Sequence, residues 1–162
     1  MDRSTTSESV AQSLIELRPQ TLLQVALLGA GLGFLSWALT LLIRQVVFVP
    51  LFCGDPTNSQ CVGATGSAGV IALLLTGVVG LLGLVRLGVY RPLLVVLAAT
   101  IALWGVSIWV GDMYWFEAIA WSVVLFALVY AAFTWLVRPR SFAFAVVLVI
   151  LALVVVRVVA IL

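Results

Sequence analysis

The chain has 162 residues, of which 65% are apolar and 9% are charged, with a formal net charge of +2 at pH 7. A water-soluble domain carries about 25% charged residues, so this composition excludes an ordinary soluble domain. It also excludes a nucleic-acid-binding surface, which needs clustered basic residues on a polar domain. The charged residues lie mostly where long apolar runs are interrupted, which predicts an all-helical integral membrane protein.

Residues 1–19 form the one sizeable polar segment of the chain. Thr5 and Glu8 have the spacing of a capping box, and the apolar residues that follow repeat on one helical face. We expect a short amphipathic helix that lies on the cytoplasmic membrane surface and ends at Pro19. The alternative is a frayed tail.

Residues 20–162 are predicted to form a single transmembrane domain, a bundle of five spans. An apolar run of about 20 residues can cross the ~30 Å hydrocarbon layer as a helix, and five such runs follow one another. The predicted spans cover residues 21–43, 70–87, 93–110, 115–137 and 142–161. The first run stays apolar as far as Phe52, so its end must tilt or project from the bilayer, and we expect Pro50 to mark that end.

The distribution of arginine predicts the orientation of these spans, because Arg is retained on the cytoplasmic side of short loops. With the N-terminus inside, six of the eight basic residues lie on the cytoplasmic side, and the C-terminus and the 53–69 loop lie outside. The six are Arg3, Arg18, Arg86, Arg91, Arg138 and Arg140, against Arg44 and Arg157 on the other side. We therefore expect a multi-pass protein of the cell membrane with its N-terminus in the cytoplasm.

The same orientation places Cys53 and Cys61, the only cysteines, in the outer loop, where the redox environment permits a disulfide. Seven residues separate them, which is unlike the Cys-x-x-Cys spacing of redox centres. We expect a structural disulfide; free, inert thiols are the alternative. The chain has no His and no further Cys, so we expect no metal site, and no motif indicates a cofactor.

Glycine is confined to the first three predicted spans and their loops. Gly29 and Gly33 form a Gly-x-x-x-Gly face on span 1, and Gly77, Gly80 and Gly83 follow one another along span 2. Small residues let helix backbones approach closely within lipid. We expect spans 1 to 3 to form the tight core, with spans 4 and 5 facing lipid or a larger partner. Homodimerisation through Gly29 and Gly33 is the alternative use of that face.

Three charged residues fall close to or inside the outer halves of the last two spans, where an ionisable group is costly and therefore a functional candidate. Glu117 begins span 4, Asp112 lies in the turn before it, and Arg157 lies in span 5. They make a candidate proton or cation site. In the alternative interpretation Glu117 complements the helix N-terminus and Arg157 extends outward to the interface. The hydroxyl residues of the spans are scattered, and we find no continuous polar path.

These observations favour a small noncatalytic integral membrane protein, a subunit or assembly partner of a larger membrane complex. No residue is assigned a catalytic role, and the expected partners are the lipid bilayer and either another membrane protein or a second copy of the chain. The second hypothesis is a small transporter or channel in which Glu117 responds to protons or cations. The third is a membrane enzyme acting on a lipidic substrate near Asp112, Glu117 and Arg157.

Overall fold

The computed structural model describes residues 19–52, 63–89, 91–137 and 142–161. This part of the chain is all-helical, as the sequence predicts. The helices are α1 (Pro19–Ile43), α2 (Val49–Phe52), α3 (Ala64–Arg86), α4 (Pro92–Ala102), α5 (Val106–Gly111), α6 (Trp115–Leu136) and α7 (Phe142–Ile161). The predicted amphipathic helix of residues 1–19 lies almost wholly outside the described residues.

Three helical stretches within the described residues are long and apolar enough to cross a membrane. They are Gln20–Leu51 with 32 residues, Ala64–Arg86 with 23 and Trp115–Leu136 with 22. Two shorter apolar helices, Pro92–Ala102 and Ala145–Val155, accompany them. The protein is therefore membrane-embedded.

The first long helix changes its winding near its C-terminal end. Between α1 and α2, residues Arg44–Phe48 form a π-helical turn, in which the Val49 N–H donates to the Arg44 carbonyl, five residues back. Pro50 has no N–H to donate and its ring would clash with the carbonyl of Val46 in a regular α-helix, so a wider turn at this point relieves the clash. The helix continues past Pro50 to Phe52, two residues further than the sequence suggested.

Helix α3 begins six residues before the predicted span and ends in a glycine cap. Its first turns contain Thr65 and Ser67, whose polarity hides the start of the helix from a hydropathy pattern. At the other end, Gly88 has a φ of +66°, and its N–H donates to the Val85 carbonyl at 3.1 Å. The Val89 N–H donates to the Leu84 carbonyl, also at 3.1 Å, which completes a Schellman motif.

The third predicted span, 93–110, is not one continuous helix. Pro92 occupies the start of α4, but the helix ends at Ala102, and α5 begins only at Val106. Gly105 stands between them with a φ of +92°, a backbone conformation that side chains with a Cβ rarely adopt. The left-handed glycine interrupts the hydrogen-bond ladder and lets the chain start a new helix. The expectation of an unbroken third span is corrected accordingly.

Helix α1 packs most extensively on α6 and next on α3, whereas the described part of α7 packs on α4 and α6. This corrects the placement of span 4 outside the tight core. The reason is that α6 has no glycine but offers other small residues, Ala118 and Ser122, at helical spacing on its buried face. Close packing of membrane helices needs small side chains of any kind, and not glycine alone.

The glycines mark the places where backbones come closest. A Cβ added at Gly33 would lie 2.5 Å from the carbonyl oxygen of Ser122, and one at Gly29 would lie 2.8 Å from that of Phe126. Both of these neighbours belong to the α6 backbone, so the Gly29 and Gly33 face is occupied within the chain.

The glycines of α3 face two different neighbours. A Cβ at Gly80 would lie 2.6 Å from the hydroxyl oxygen of Tyr130 on α6, and one at Gly83 would collide with the Leu28 side chain of α1. At Gly77 the nearest atom is Thr100 Oγ1 of α4, at an ordinary contact distance of 3.4 Å. Helix α3 therefore packs most closely on α1 and next on α4, and Gly80 leaves room for the hydroxyl end of the Tyr130 side chain that reaches across from α6.

Candidate functional site

A cavity of about 180 Å³ lies between α1, α3, α6 and the interrupted pair α4 and α5. We call it the four-helix cavity, and the end of the bundle at which it lies the Arg44 end. Its polar lining comes from all four sides of the bundle: Ser36, Thr40, Arg44, Thr65, Ser107 and Ser122. Its apolar lining includes Leu73, Leu103 and Phe126, with Trp37 and Trp115 as the aromatic members.

The two irregular segments of the backbone both border this cavity. Gly105, where the third predicted span is broken, is part of the lining, and so is Arg44, where the π-helical turn begins. In both places backbone geometry departs from a straight α-helix, and side chains no longer fill the space between neighbouring helices. Irregular backbone in membrane proteins is tolerated where it is buried in protein or lines a cavity.

The cavity hydroxyls differ in what they bind. Thr40 donates to the carbonyl of Ser36 on its own helix at 2.7 Å, as small hydroxyls in membrane helices commonly do. Thr76 and Thr100, outside the cavity, do the same with the carbonyls four residues earlier. For the other four lining hydroxyls, those of Ser36, Thr65, Ser107 and Ser122, the structure gives no hydrogen-bond partner among the described residues. Ser107 and Ser122 lie on facing segments of this lining and are available to a bound molecule.

Among the described residues that line the cavity, Arg44 is the one with an ionisable side chain. A guanidinium keeps its charge at every physiological pH and presents five N–H donors. The acidic residues within the described ranges are Asp112 and Glu117, and neither lines the cavity. The described lining of the cavity therefore carries one positive charge.

The described residues of the predicted proton or cation site, Asp112 and Glu117, do not line the four-helix cavity. Glu117 is half-buried in the first turn of α6, and Asp112 is exposed in the turn that joins α5 to α6. The backbone at Arg157 belongs to α7, but its side chain lies outside the described part, so its pairing with Glu117 stays a prediction. Trp121, four residues after Glu117, packs edge-on against Trp109 with ring centroids 6.0 Å apart.

Sequence reasoning missed the cavity because its polar members are spread over four helices. Each of these residues is a single hydroxyl or cation in an apolar run, and only the packing of the helices brings them together. The sequence shows Pro50, which accounts for the π-helical turn, but Gly105 within an apolar run gives no sign of its positive φ.

Cys53 and Cys61 lie outside the described residues, so the disulfide stays a prediction. No group of three or more potential metal ligands occurs in the part of the chain that the structure describes. Comparisons of the chain with protein-family models, with curated proteins and with solved structures found no match.

Proposed function

We propose that the chain crosses the membrane five times, with its N-terminus in the cytoplasm and the Arg44 end facing outward. The four-helix cavity supports this threading. Arg44 near the end of α1, Thr65 at the start of α3, Gly111 at the end of α5 and Trp115 at the start of α6 all line it. These helix ends therefore lie at one end of the bundle, and α4 with α5 returns the chain to that end.

The aromatic residues at this end agree with a membrane interface. Tyr114 and Phe116 stack with ring centroids 6.1 Å apart, Trp115 packs edge-on against Phe116 at the same distance, and all three are exposed. Tyr and Trp are enriched where hydrocarbon meets the headgroups. The six arginines predicted on the cytoplasmic side indicate which end of the bundle faces the cytoplasm.

For the role of the protein, we propose noncatalytic binding of a small solute in the four-helix cavity and its transport across the membrane. The observation that carries this proposal is the cavity itself, a space within a membrane-embedded bundle whose mainly apolar lining includes five hydroxyl side chains and the Arg44 guanidinium. It revises the transporter hypothesis of the sequence, because Arg44 and the free hydroxyls of Ser107 and Ser122 take the place of Glu117 as the binding groups.

The interrupted helix supplies a reason to propose transport and not binding alone. Transporters place their substrate sites beside discontinuous helices, where unsatisfied backbone groups meet the substrate and short helical segments can move separately. Here α5 has only six residues and is joined to α4 through the left-handed Gly105. A small movement of α5 would open or close the cavity without disturbing the packing of α1 on α6.

Thiol accessibility tests this role without knowledge of the solute. In a variant lacking the native cysteines, Ser107→Cys places a thiol in the cavity wall, and Ile108→Cys places one on the exposed apolar surface next to it. Maleimides react with the thiolate, which does not form in hydrocarbon. An impermeant maleimide added outside should label the Ser107→Cys thiol and leave the Ile108→Cys thiol unmodified.

The side of labelling separates transport from static binding. A transporter visits inward-open states, so the same reagent added from the cytoplasmic side should also label the Ser107→Cys thiol, more slowly. Labelling from outside alone would contradict transport and leave a binding protein. Equal reactivity of the two thiols from outside would contradict an aqueous cavity altogether.

A role as subunit or assembly partner of a membrane complex is the second candidate. Its support is that two of the three long helical stretches, Gln20–Leu51 and Trp115–Leu136, each bury only 28% of their most apolar window within the chain. Lipid or another membrane protein must cover these faces. Mild-detergent purification followed by mass measurement tests it: a stoichiometric second polypeptide supports the subunit role, and a lone species contradicts it.

A further inference from the structure

The shape of the four-helix cavity limits what can enter it. Trp115 and Phe126 both line it, and at ~1.5 Å per residue they are about 16 Å apart along the axis of α6. The lining of the cavity therefore extends about 16 Å along α6, from the Arg44 end into the bundle.

Its polarity changes along that length. At the Arg44 end, Arg44 and Thr65 line the cavity together with Met113 and Trp115. Leu103, which follows α4, and Phe126 of α6 are the lining residues farthest from that end on their segments, and both are apolar. A molecule that fits such a gradient has a polar head and an apolar body.

The positive charge of Arg44 favours a negatively charged head group. Arg44 offers a planar fork of donors that matches carboxylate and phosphate oxygens in a bidentate arrangement. Asp112 and Glu117 are neighbours in sequence of lining residues on α5 and α6. Neither of them lines the cavity. Near hydrocarbon, a guanidinium that faces a cavity is stabilised by an anion placed in it, because charge interactions strengthen as the dielectric falls.

We propose that the four-helix cavity binds an anionic amphiphile, with its carboxylate or phosphate head at Arg44 and its hydrocarbon chain directed towards Phe126. This inference rests on the proposed function and names the chemical class of its solute. The shared chemistry is a singly charged oxyanion on one hydrocarbon chain, supplied either by a free fatty-acid-like molecule or by a membrane lipid.

Tryptophan quenching measures this binding directly, because Trp37 and Trp115 line the cavity. The full chain is placed in phosphatidylcholine nanodiscs and titrated with 12-bromododecanoate, whose bromine quenches indole fluorescence on contact. The matched probes are 12-bromododecyltrimethylammonium and 12-bromododecanol, which keep the chain and change the charge of the head. Saturable quenching by the anion alone is the expected result, and equal binding of the three probes would overturn the proposal.

Arginine variants locate the head. Arg44→Gln should weaken binding of the anion about tenfold, which corresponds to about 1.4 kcal/mol, and Arg44→Lys should restore part of the loss. Arg86→Gln, the same change on an exposed arginine in the last turn of α3, should leave the affinity unchanged. An Arg44→Gln variant that binds the anion like the wild type would overturn the proposal, and so would a loss of affinity in Arg86→Gln of the same size.

Further experiments test the location of the bound amphiphile, the role of its hydrocarbon chain and its source. Val106→Phe fills the cavity from α5 and should abolish saturable quenching by the anion; binding that persists would place the amphiphile elsewhere and overturn the proposal. If inorganic phosphate alone displaces the anionic probe, the oxyanion is sufficient for binding. That result would overturn the proposed role of the hydrocarbon chain. Brominated lysophosphatidylglycerol in the nanodisc, which has one acyl chain, compared with 12-bromododecanoate added from water, identifies the source, and saturable quenching by either supports the proposal.

Failure here is distinguishable from failure of the proposed function. If Ser107→Cys is labelled from both sides while no anionic probe binds saturably, the transport role stands and the anionic amphiphile is excluded. If the Ser107→Cys thiol is unreactive from outside, the aqueous cavity is contradicted whatever the quenching shows.

Discussion

Replacing Gly33 by alanine tests the closest contact in the fold, that between α1 and α6. The added Cβ would lie 2.5 Å from the Ser122 carbonyl oxygen and 2.9 Å from the Cα of Val123. Carbon atoms pack at about 3.5 Å or more, so the two helices must move apart by about 1 Å at this point. Both neighbours are backbone atoms, which cannot rotate out of the way.

The chain supplies a matched control on the same helix. A Cβ added at Gly31 meets nothing within 4 Å, so Gly31→Ala changes helix propensity without changing a contact. Overpacking of this kind costs about 1–3 kcal/mol, and we expect Gly33→Ala to lie near the upper end. Gly31→Ala should instead stabilise the helix by roughly 0.5–1 kcal/mol, the ordinary difference between Gly and Ala.

Thermal unfolding in lipid nanodiscs, followed by the far-ultraviolet circular dichroism signal, measures the difference. One kcal/mol shifts the midpoint by roughly 2–4 °C in a domain of this size, so the two variants should differ by about 5 °C or more. Equal midpoints would refute the close approach of α1 and α6. A loss that disappears when protein concentration is raised would instead assign Gly33 to a contact between two copies of the chain.

Three other predictions concern the broken helix, the cysteines and Glu117. Gly105→Ala has space for its Cβ but must adopt a φ near +92°, so we expect a loss of about 1–2 kcal/mol in unfolding free energy; wild-type stability would contradict the break. Cys53 and Cys61 should react with maleimide only after reduction, and labelling without reductant would show that the proposed disulfide is absent. Glu117→Gln removes a carboxylate from the first turn of α6, which should lower the unfolding free energy by less than about 1 kcal/mol. In proteoliposomes, the pH dependence of solute flux should be the same for this variant and the wild type. A flux that no longer depends on pH in the variant would restore Glu117 as the proton site.

Hydropathy predicts the helices well where apolar residues fill whole turns. Helix α6 occupies residues 115–136, where the sequence places span 4, and α7 occupies the range of span 5. Hydropathy fails to predict the start of α3, because Thr65 and Ser67 lower the local hydropathy. The backbone is already helical there, since the Ser67 N–H donates to the Gly63 carbonyl at 3.1 Å. Backbone hydrogen bonds decide where a helix begins, and they do not depend on side-chain polarity.

The break at Gly105 and the partner of α1 required the three-dimensional structure. Glycine is tolerated within membrane helices, so Gly105 in an apolar run gives no sign of its positive φ. The part of the α6 backbone that meets Gly33 belongs to Ser122 and Val123, and neither residue distinguishes this helix face from others in the sequence. The cavity depends on both features, and for that reason its lining could not be predicted from the sequence.

The side of the membrane on which Asp112 lies tests the threading of the chain most directly. Asp112→Cys in a variant lacking the native cysteines puts a thiol in the exposed turn between α5 and α6. If α4 and α5 together cross the bilayer, an impermeant maleimide added outside labels this thiol and the same reagent added to the cytoplasmic side does not. Labelling from the cytoplasmic side alone would mean that the interrupted helix does not cross, and the outward-facing cavity at Arg44 would be contradicted.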